Sequence, residues 1–316
     1  MDFAANLLSL REFTLVSTGP QLPMKTKEEF DDWLAGRGLL WKNRPCPNCG
    51  NRRKVTKQYT DSGEDGKWKF ECNRRACRQP GVDRKVGYLK GTFFESLHGD
   101  RKKIFLASYL FADDLGTTKE MARTLEVDEQ TVQQWSQWFR DVLVEHYTNN
   151  VVQIGGPNTI VQIDETNVVR RKYNVGRVVR KDWLVGGIQD GTKLVFIKIV
   201  DKRDAATLEK IIQQHVAPGG TVRTDMWSGY NNLSNLGYIH ETVSHSVNFV
   251  DPATGVHTQR IEGLWSILKD RIRRRHGLRG DLWDDHFFEV LWKWQYDSES
   301  LLYELWRLIS LRYPIR

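Results

Sequence analysis

Thr159-Ile160-Val161-Gln162-Ile163-Asp164-Glu165-Thr166 is the stretch on which the fold turns. Its apolar, β-rich run at 159–163 delivers a carboxylate and then turns polar, which reads as a strand ending at Asp164. A second run, Thr221-Val222-Arg223-Thr224-Asp225, does the same. A third acid, Glu262, lies in a helix-like stretch at 258–275. Between Asp164 and Asp225 stand 60 residues, and between Asp225 and Glu262 stand 36. Two acids at strand ends and one on a helix can gather into a cluster of negative charge, which is costly unless it holds cations. Glu165 points to the opposite face if the strand continues, so it reads as a support for Asp164 rather than its substitute.

The neighbouring residues fill in an α/β domain. Residues 149–158, with Gly155-Gly156-Pro157, read as a connector. Strands at 159–164, 183–188 and 194–200 follow, the last two flanking Gln189-Asp190-Gly191-Thr192, where Asp-Gly between apolar runs signals a tight hairpin. Asp204 opens a helix to His215 with Leu208, Ile211 and Ile212 on its apolar side, Pro218-Gly219-Gly220 ends it, and the strand carrying Asp225 comes next. A fifth strand is expected near 238–243. Three strands, a helix and a strand are the order of an RNase H-like fold, a mixed sheet flanked by helices in which strand four lies beside strand one. Gly186-Gly187 reads as a strand end and not a phosphate loop; no P-loop, internal repeat or low-complexity segment is present.

Thr258 reads as the N-cap of the Glu262 helix, with Ile261, Leu264, Trp265 and Leu268 on its buried side. Lys269 is two turns beyond Glu262 on the same face and suits a phosphate contact, as does His257. Arg271, Arg273, Arg274 and Arg275 then form the densest basic run of the chain. Residues 281–313 continue as helices rich in Trp and Leu, including Trp283, Phe287, Leu291, Trp292, Leu302, Leu305 and Trp306, and read as a cover for the sheet or a partner chain.

Upstream, the residues 26–34 read as a short helix broken by Gly36-Arg37-Gly38. The four cysteines of the chain follow in one cluster, Cys46-Pro47-Asn48-Cys49 and Cys72-Asn73-Arg74-Arg75-Ala76-Cys77. Two thiolate pairs joined by two strand-like runs, 54–59 and 67–71, with a turn at 61–66, predict a zinc ribbon whose single Zn²⁺ supplies much of its folding free energy. Arg52, Arg53 and Lys54 are placed to grip phosphates, with Lys57, Arg74, Arg75 and Arg78 nearby. Residues 101–112 read as a helix. Thr117-Thr118-Lys119-Glu120 is a capping box for a second, and Asp128 caps a third carrying Val132, Trp135, Phe139 and Leu143. Helix, short turn, helix is the helix-turn-helix plan, and it puts Gln130, Thr131, Gln133 and Gln134 in position to read base edges in the major groove of DNA. The chain thus divides into an N-terminal helical segment (1–40), a zinc ribbon (41–95), a helix-turn-helix domain (96–150) and an RNase H-like catalytic domain with C-terminal helices (151–316).

Composition agrees with a polyanionic partner. The 316 residues carry a net charge of +7 and a pI near 9.1. Residues 41–90 alone hold 14 Lys and Arg against five Asp and Glu, an excess above that of the whole chain. The 12 tryptophans serve packing, with base stacking as the alternative use. No apolar run approaches the roughly 20 residues that span a bilayer, and the N-terminus lacks the basic region of a signal peptide. A soluble intracellular protein with no membrane partner is expected, and cysteines clustered in a reducing compartment point to metal rather than disulfides.

Ribbon, helix-turn-helix, two Asp and a Glu with 36 residues before the Glu, and a basic helix together resemble the Merlin transposases of eukaryotes and the bacterial insertion-sequence transposases with an ISXO-type domain. The matching phrases are Cys46-Pro47-Asn48-Cys49, Gly91-Thr92-Phe93-Phe94, Ile163-Asp164-Glu165-Thr166, Thr224-Asp225-Met226-Trp227-Ser228-Gly229-Tyr230, and His257-Thr258-Gln259-Arg260-Ile261-Glu262-Gly263-Leu264-Trp265-Ser266-Ile267-Leu268-Lys269. They run from about residue 25 to about 300; Gln259 stands where the family often has Asn. The resemblance implies Asp164, Asp225 and Glu262 as a catalytic triad. The expected chemistry is metal-dependent cleavage and strand transfer with two Mg²⁺ or Mn²⁺ ions per site. Expected partners are double-stranded DNA, both element ends and target, and a second copy of the chain in a homodimer or higher oligomer. The expected location is the nucleus of a eukaryote, or the cytoplasm and nucleoid of a bacterium. A domesticated DNA-binding protein without transposition and an RNase H-like nuclease are the competing readings.

Overall fold

The computed structural model describes residues 3–56, 68–81, 83–150, 153–167, 183–243, 256–274 and 282–315. The turn expected at 61–66 and Arg275 lie outside these, as do the side chains of Arg274 and Trp283. Two compact units divide the chain, Met1–Val142 together with Asp297–Arg316, and Leu143–Tyr296.

The first unit holds helices α1 (Phe3–Leu8), α2 (Gln21–Met24), α3 (Lys27–Ala35), α4 (Arg101–Ala112), α5 (Thr118–Leu125) and the early turns of α6 (Glu129–Asn149), with a small sheet of β1 (Lys54–Thr56), β2 (Lys69–Glu71) and β3 (Lys85–Gly87). Helix starts are written locally. Thr26 and Glu29 form a reciprocal capping box for α3, and Thr117 and Glu120 one for α5. Asp128 Oδ1 accepts from the Gln130 N–H at 2.9 Å to open α6. Asp31 on α3 is 3% exposed and takes Arg101 of α4 in a two-pronged pair of 2.7 and 2.6 Å, the geometry that makes a buried carboxylate tolerable.

The chain's last helix, α10 (Ser298–Arg312), belongs to this unit and not to the acid-bearing one. Of the C-terminal helices expected to cover the sheet or a partner chain, α10 instead packs within the first unit. The physical reason is aromatic packing. Trp306 is fully buried, stacks on Phe94 and Phe105, and donates its indole N–H to Ser108 Oγ at 2.8 Å. An apolar stripe on a helix says that it is buried, not against what.

The second unit is built on a five-stranded mixed sheet ordered β10-β9-β5-β6-β7, with β5 (Ile160–Asn167), β6 (Trp183–Gln189), β7 (Val195–Val200), β9 (Thr221–Asp225) and β10 (Ile239–Val243). A two-stranded pair, β4 (Ile154–Gly155) with β8 (Val216–Ala217), flanks it. β5 and β7 run antiparallel to β6, while β9 runs parallel to both β5 and β10. The expected neighbouring of strands one and four is therefore present. Odd positions of β5, with Val185, Phe196 and Val222, pack under α7 (Ala205–His215) through Leu208, Ile211 and Ile212. On the other face, Leu184, Ile188, Val195 and Ile197 pack under α8 (Gln259–Arg274) and α9 (Leu282–Gln295) through Ile261, Leu264, Trp265, Leu268, Phe287 and Leu291.

Gly186 and Gly187 are interior to β6, not at its end. Each leaves room for an aromatic ring on a different face. A Cβ at Gly186 would meet the Trp265 ring at 2.6 Å, and one at Gly187 the Phe196 ring at 2.3 Å. Gly187→Ala is expected to cost about 1–3 kcal/mol by forcing Phe196 off its seat, read as a lowered thermal midpoint with the fold retained.

Candidate active site and metal centre

Pairing of β5 with β9 matches Ile160 to Thr221 and Gln162 to Arg223. Carried on by two residues, the same register sets Asp164 level with Asp225. Strand alternation then turns both side chains to the α8 face. Glu165 turns the other way, where Tyr230 donates its hydroxyl to the carboxylate in a short hydrogen bond. Burial raises the pKa of both Glu165 and Tyr230. β5 does not end at Asp164; it continues through Asn167, because Glu165 and Thr166, though polar, are buried.

The third acid is delivered by a polar side chain that the sequence reading passed over. Gln162 is 0% exposed. Its Oε1 accepts from the backbone N–H of Arg260 at 3.0 Å and of Ile261 at 3.4 Å, two of the donors a helix N-terminus leaves without intrahelical partners. Its Nε2 donates to Asp190 at 2.8 Å and lies 3.5 Å from His257 Nδ1. Gln162 thereby docks the start of α8 onto β5, two residues from Asp164, and Glu262 follows in the first turn of that helix. Thr258 Oγ1 holds the Glu262 carboxylate at 2.9 Å. The available signal was alternation: Gln162 is a polar residue on an apolar strand, on the Asp164 side. Arg260 completes the joint, donating to the Gln189 and Thr192 carbonyls.

Asp164 carries the electrostatic consequence. Burial first, then the nearby charges of Glu165, Asp225 and Glu262, push its carboxyl up to about 7. A group so shifted marks a place where negative charge is gathered without matching positive charge, which is a functional-site signature and fits hard-cation chemistry. The Asp225 carboxylate also accepts from the Trp227 backbone N–H at 2.9 Å.

A tighter group lies in the first unit. Cys46 Sγ and Cys77 Sγ are 3.8 Å apart, Cys49 Sγ and Cys72 Sγ 3.7 Å, and all four lie within 4.8 Å of one another. Zn–S bonds of about 2.3 Å in a tetrahedron give edges of roughly 3.8 Å, so the donor set fits zinc. Among the described residues this is the one group of three or more candidate ligands crowded closely enough to hold a single ion. Gly50, at a positive φ of 69°, closes the first cysteine knuckle with its N–H on the Cys46 carbonyl. Hydrogen bonds from Asn51 hold the Cys49 thiol down to about 6. β3 adds a strand beyond the two expected.

The expected DNA contacts divide. Gln130, Gln133 and Gln134 are exposed on α6 and Thr131 is half-buried. Arg52 and Lys54 are exposed, but Arg53 is 6% exposed and donates to the Asp83 carbonyl. Arg53 is thus a structural tie and not a phosphate contact, since composition counts its charge without seeing where the guanidinium goes. His257, Lys269 and Arg271 are half-buried and Arg273 is exposed.

Residues 154–295 match the family model of the ISXO2-like transposase domain. The match covers a little under half of the chain and lies within the second unit. Among solved structures, the catalytic core domain of BIV integrase is similar at 14% identity, over 42% of this chain and 79% of that chain, with a TM-score of 0.27. No curated protein matches the chain. The matched span includes all three acids, Gln162 and the whole of α8, which carries Glu262, Lys269 and Arg271. No helix among the described residues is long and apolar enough to cross a membrane.

Proposed function

We propose that the protein is a DNA transposase that cuts at the ends of its element and joins those ends to target DNA through Asp164, Asp225 and Glu262 in an RNase H-like domain. The observation that carries this is Asp164 level with Asp225 on adjacent parallel strands, with Glu262 held over the same face by the Gln162 joint. The domain-family match supports the same reading. The three carboxylates would hold two Mg²⁺ or Mn²⁺ ions, which supply an activated water or DNA 3′-hydroxyl and stabilisation of the leaving oxygen. Cleavage adds water across a phosphodiester and frees a 3′-hydroxyl. Joining exchanges one phosphodiester for another, so no nucleoside triphosphate is consumed. Gln162 keeps Glu262 opposite Asp164, and Tyr230 fixes Glu165 away from the metals. His257, Lys269, Arg271, Arg273, Arg274 and Arg275 hold the phosphate backbone.

The remaining parts find the DNA. Cys46, Cys49, Cys72 and Cys77 hold one structural Zn²⁺ in a ribbon whose Arg52 and Lys54 face solvent. α5 and α6, joined by a three-residue turn at 126–128, form a helix-turn-helix that offers Gln130, Thr131, Gln133 and Gln134 to a major groove. Pairing two element ends requires at least a dimer. A gel assay with Mg²⁺ and labelled duplexes taken from the DNA on either side of the coding sequence tests the reading. Joined products are expected. Cleavage without joining would indicate a nuclease, and binding without cleavage a domesticated DNA-binding protein.

A further inference from the structure

Among the tryptophans whose side chains are described, Trp135, Trp265, Trp292 and Trp306 are packing groups, 4% exposed or less, and the others apart from Trp227 are half-buried. Trp227 alone falls among the exposed residues, at 39%, and its neighbour Met226 is 66% exposed. Both follow directly on Asp225. Folding leaves an indole in water at this place, yet holds it firmly. Its backbone N–H is tied to the Asp225 carboxylate, and its Nε1 donates to the Arg203 carbonyl at 3.4 Å. The Arg203 guanidinium sits 4.4 Å from the Trp227 ring and 4.3 Å from the Trp183 ring, a cation between two indoles. Gly229 presses the pyrrole edge so closely that a Cβ there would stand 2.8 Å from Nε1.

Trp183 opens β6 opposite Asn167 and Val200, and Arg203 follows β7. The ladder therefore stands at the sheet end to which Asp164 and Asp225 point their strands. A rigid, exposed aromatic ring backed by a guanidinium is the chemistry that stacks an unpaired nucleobase, since every base offers a π-face to it and sequence does not matter. A folded duplex presents no free face, so the base must leave its stack to reach the ring.

We infer that Trp227, backed by Arg203 and flanked by Met226, is a stacking platform for one unpaired base of the DNA beside the acid cluster. The inference rests on the transposase reading for its substrate, and it adds that the site takes DNA locally opened rather than fully paired. Trp227 is thus a binding residue, and the unpaired base is the group it recognises.

The test uses the full-length, zinc-loaded protein without added Mg²⁺ and three probes carrying one 2-aminopurine: a short single strand, its paired duplex, and the duplex with a mismatched bubble at the reporter. Wild type is expected to bind the bubble about tenfold more tightly than the paired duplex and to quench the reporter by stacking. Trp227→Ala should bring the two duplex affinities together and abolish the quenching. Trp227→Phe, which keeps a ring in the same seat, should retain most of both, and shows that loss in the alanine variant is not misfolding. Equal binding of bubble and duplex by wild type, or preference surviving in Trp227→Ala, overturns the platform. Mg²⁺-dependent cleavage by wild type, run in parallel, separates the two ideas. Cleavage without bubble preference removes the platform and keeps the transposase; loss of both removes the two together.

Discussion

Asp164→Asn is expected to abolish Mg²⁺-dependent cleavage and joining, by on the order of 10²–10³-fold at least, and at the same time to make the Mg²⁺-free protein more stable. The two effects have one origin. The Asp164 carboxyl is pushed up to about 7, by burial and then by Glu165, Asp225 and Glu262, whereas an unfolded Asp titrates near 3.9. Between those values the folded state binds the proton more readily than the unfolded state. The contribution of this group to stability is therefore fully present below pH 4, declines as pH rises, and has fallen by roughly 2–4 kcal/mol once pH passes 7. Asparagine keeps the shape and cannot ionise. Thermal melts of the two zinc-loaded proteins without added Mg²⁺ should diverge from pH 4 to pH 8, the variant's acid-bearing unit melting higher at pH 8. Mg²⁺ at pH 8 should raise the wild-type midpoint and leave the variant's unmoved. A variant that melts lower at pH 8 would show that the carboxylate is stabilised in the fold by something other than a cation.

Removing zinc is expected to have the larger effect on structure. The four sulfurs already have the edge lengths of a zinc tetrahedron, and the three strands beside them are three residues each. Among the apolar side chains there, Phe70 is buried and stacks on Tyr88. So small an assembly has little other source of folding free energy than the metal, which in zinc peptides supplies about 10–16 kcal/mol at neutral pH. The purified chain should release one zinc per molecule to a strong chelator. Proteolysis should then cut within 41–95 while the acid-bearing unit keeps its melting transition. Cys72→Ser should mimic this. A ribbon that resists protease without zinc, or a chain that holds none, would refute the assignment.

Much of this was readable from the residues, and the exceptions share a cause. β9 and α7 lie where alternation, a capping Asp204 and the Pro218-Gly219-Gly220 break put them, and the hairpin follows from Asp190-Gly191. Those signals are local. What escaped is nonlocal. β5 runs past Asp164 because Tyr230, 65 residues away, satisfies Glu165; nothing near Glu165 announces it. Gly186 and Gly187 look like a break until Trp265 and Phe196 are seen to fill the space they leave. Gln162 looks like an odd polar residue until the start of α8 arrives on it. Arg53 and α10 failed in the same way, since charge and apolar stripes identify a surface but not its partner. Spacing singled out the three acids as candidates, while nothing local pointed to the contact of Gln162 with the start of α8.

The return of α10 to the first unit has a consequence for how the chain is made. Phe94, Phe105 and Ser108 leave the ribosome early, but the tryptophan that completes their core is synthesised nearly two hundred residues later. The acid-bearing unit, being continuous, can mature while its companion waits with an open apolar face. A nascent chain arrested before Ser298 would therefore carry a finished sheet beside a sticky, unfinished partner, and is the species on which chaperones and proteases would act.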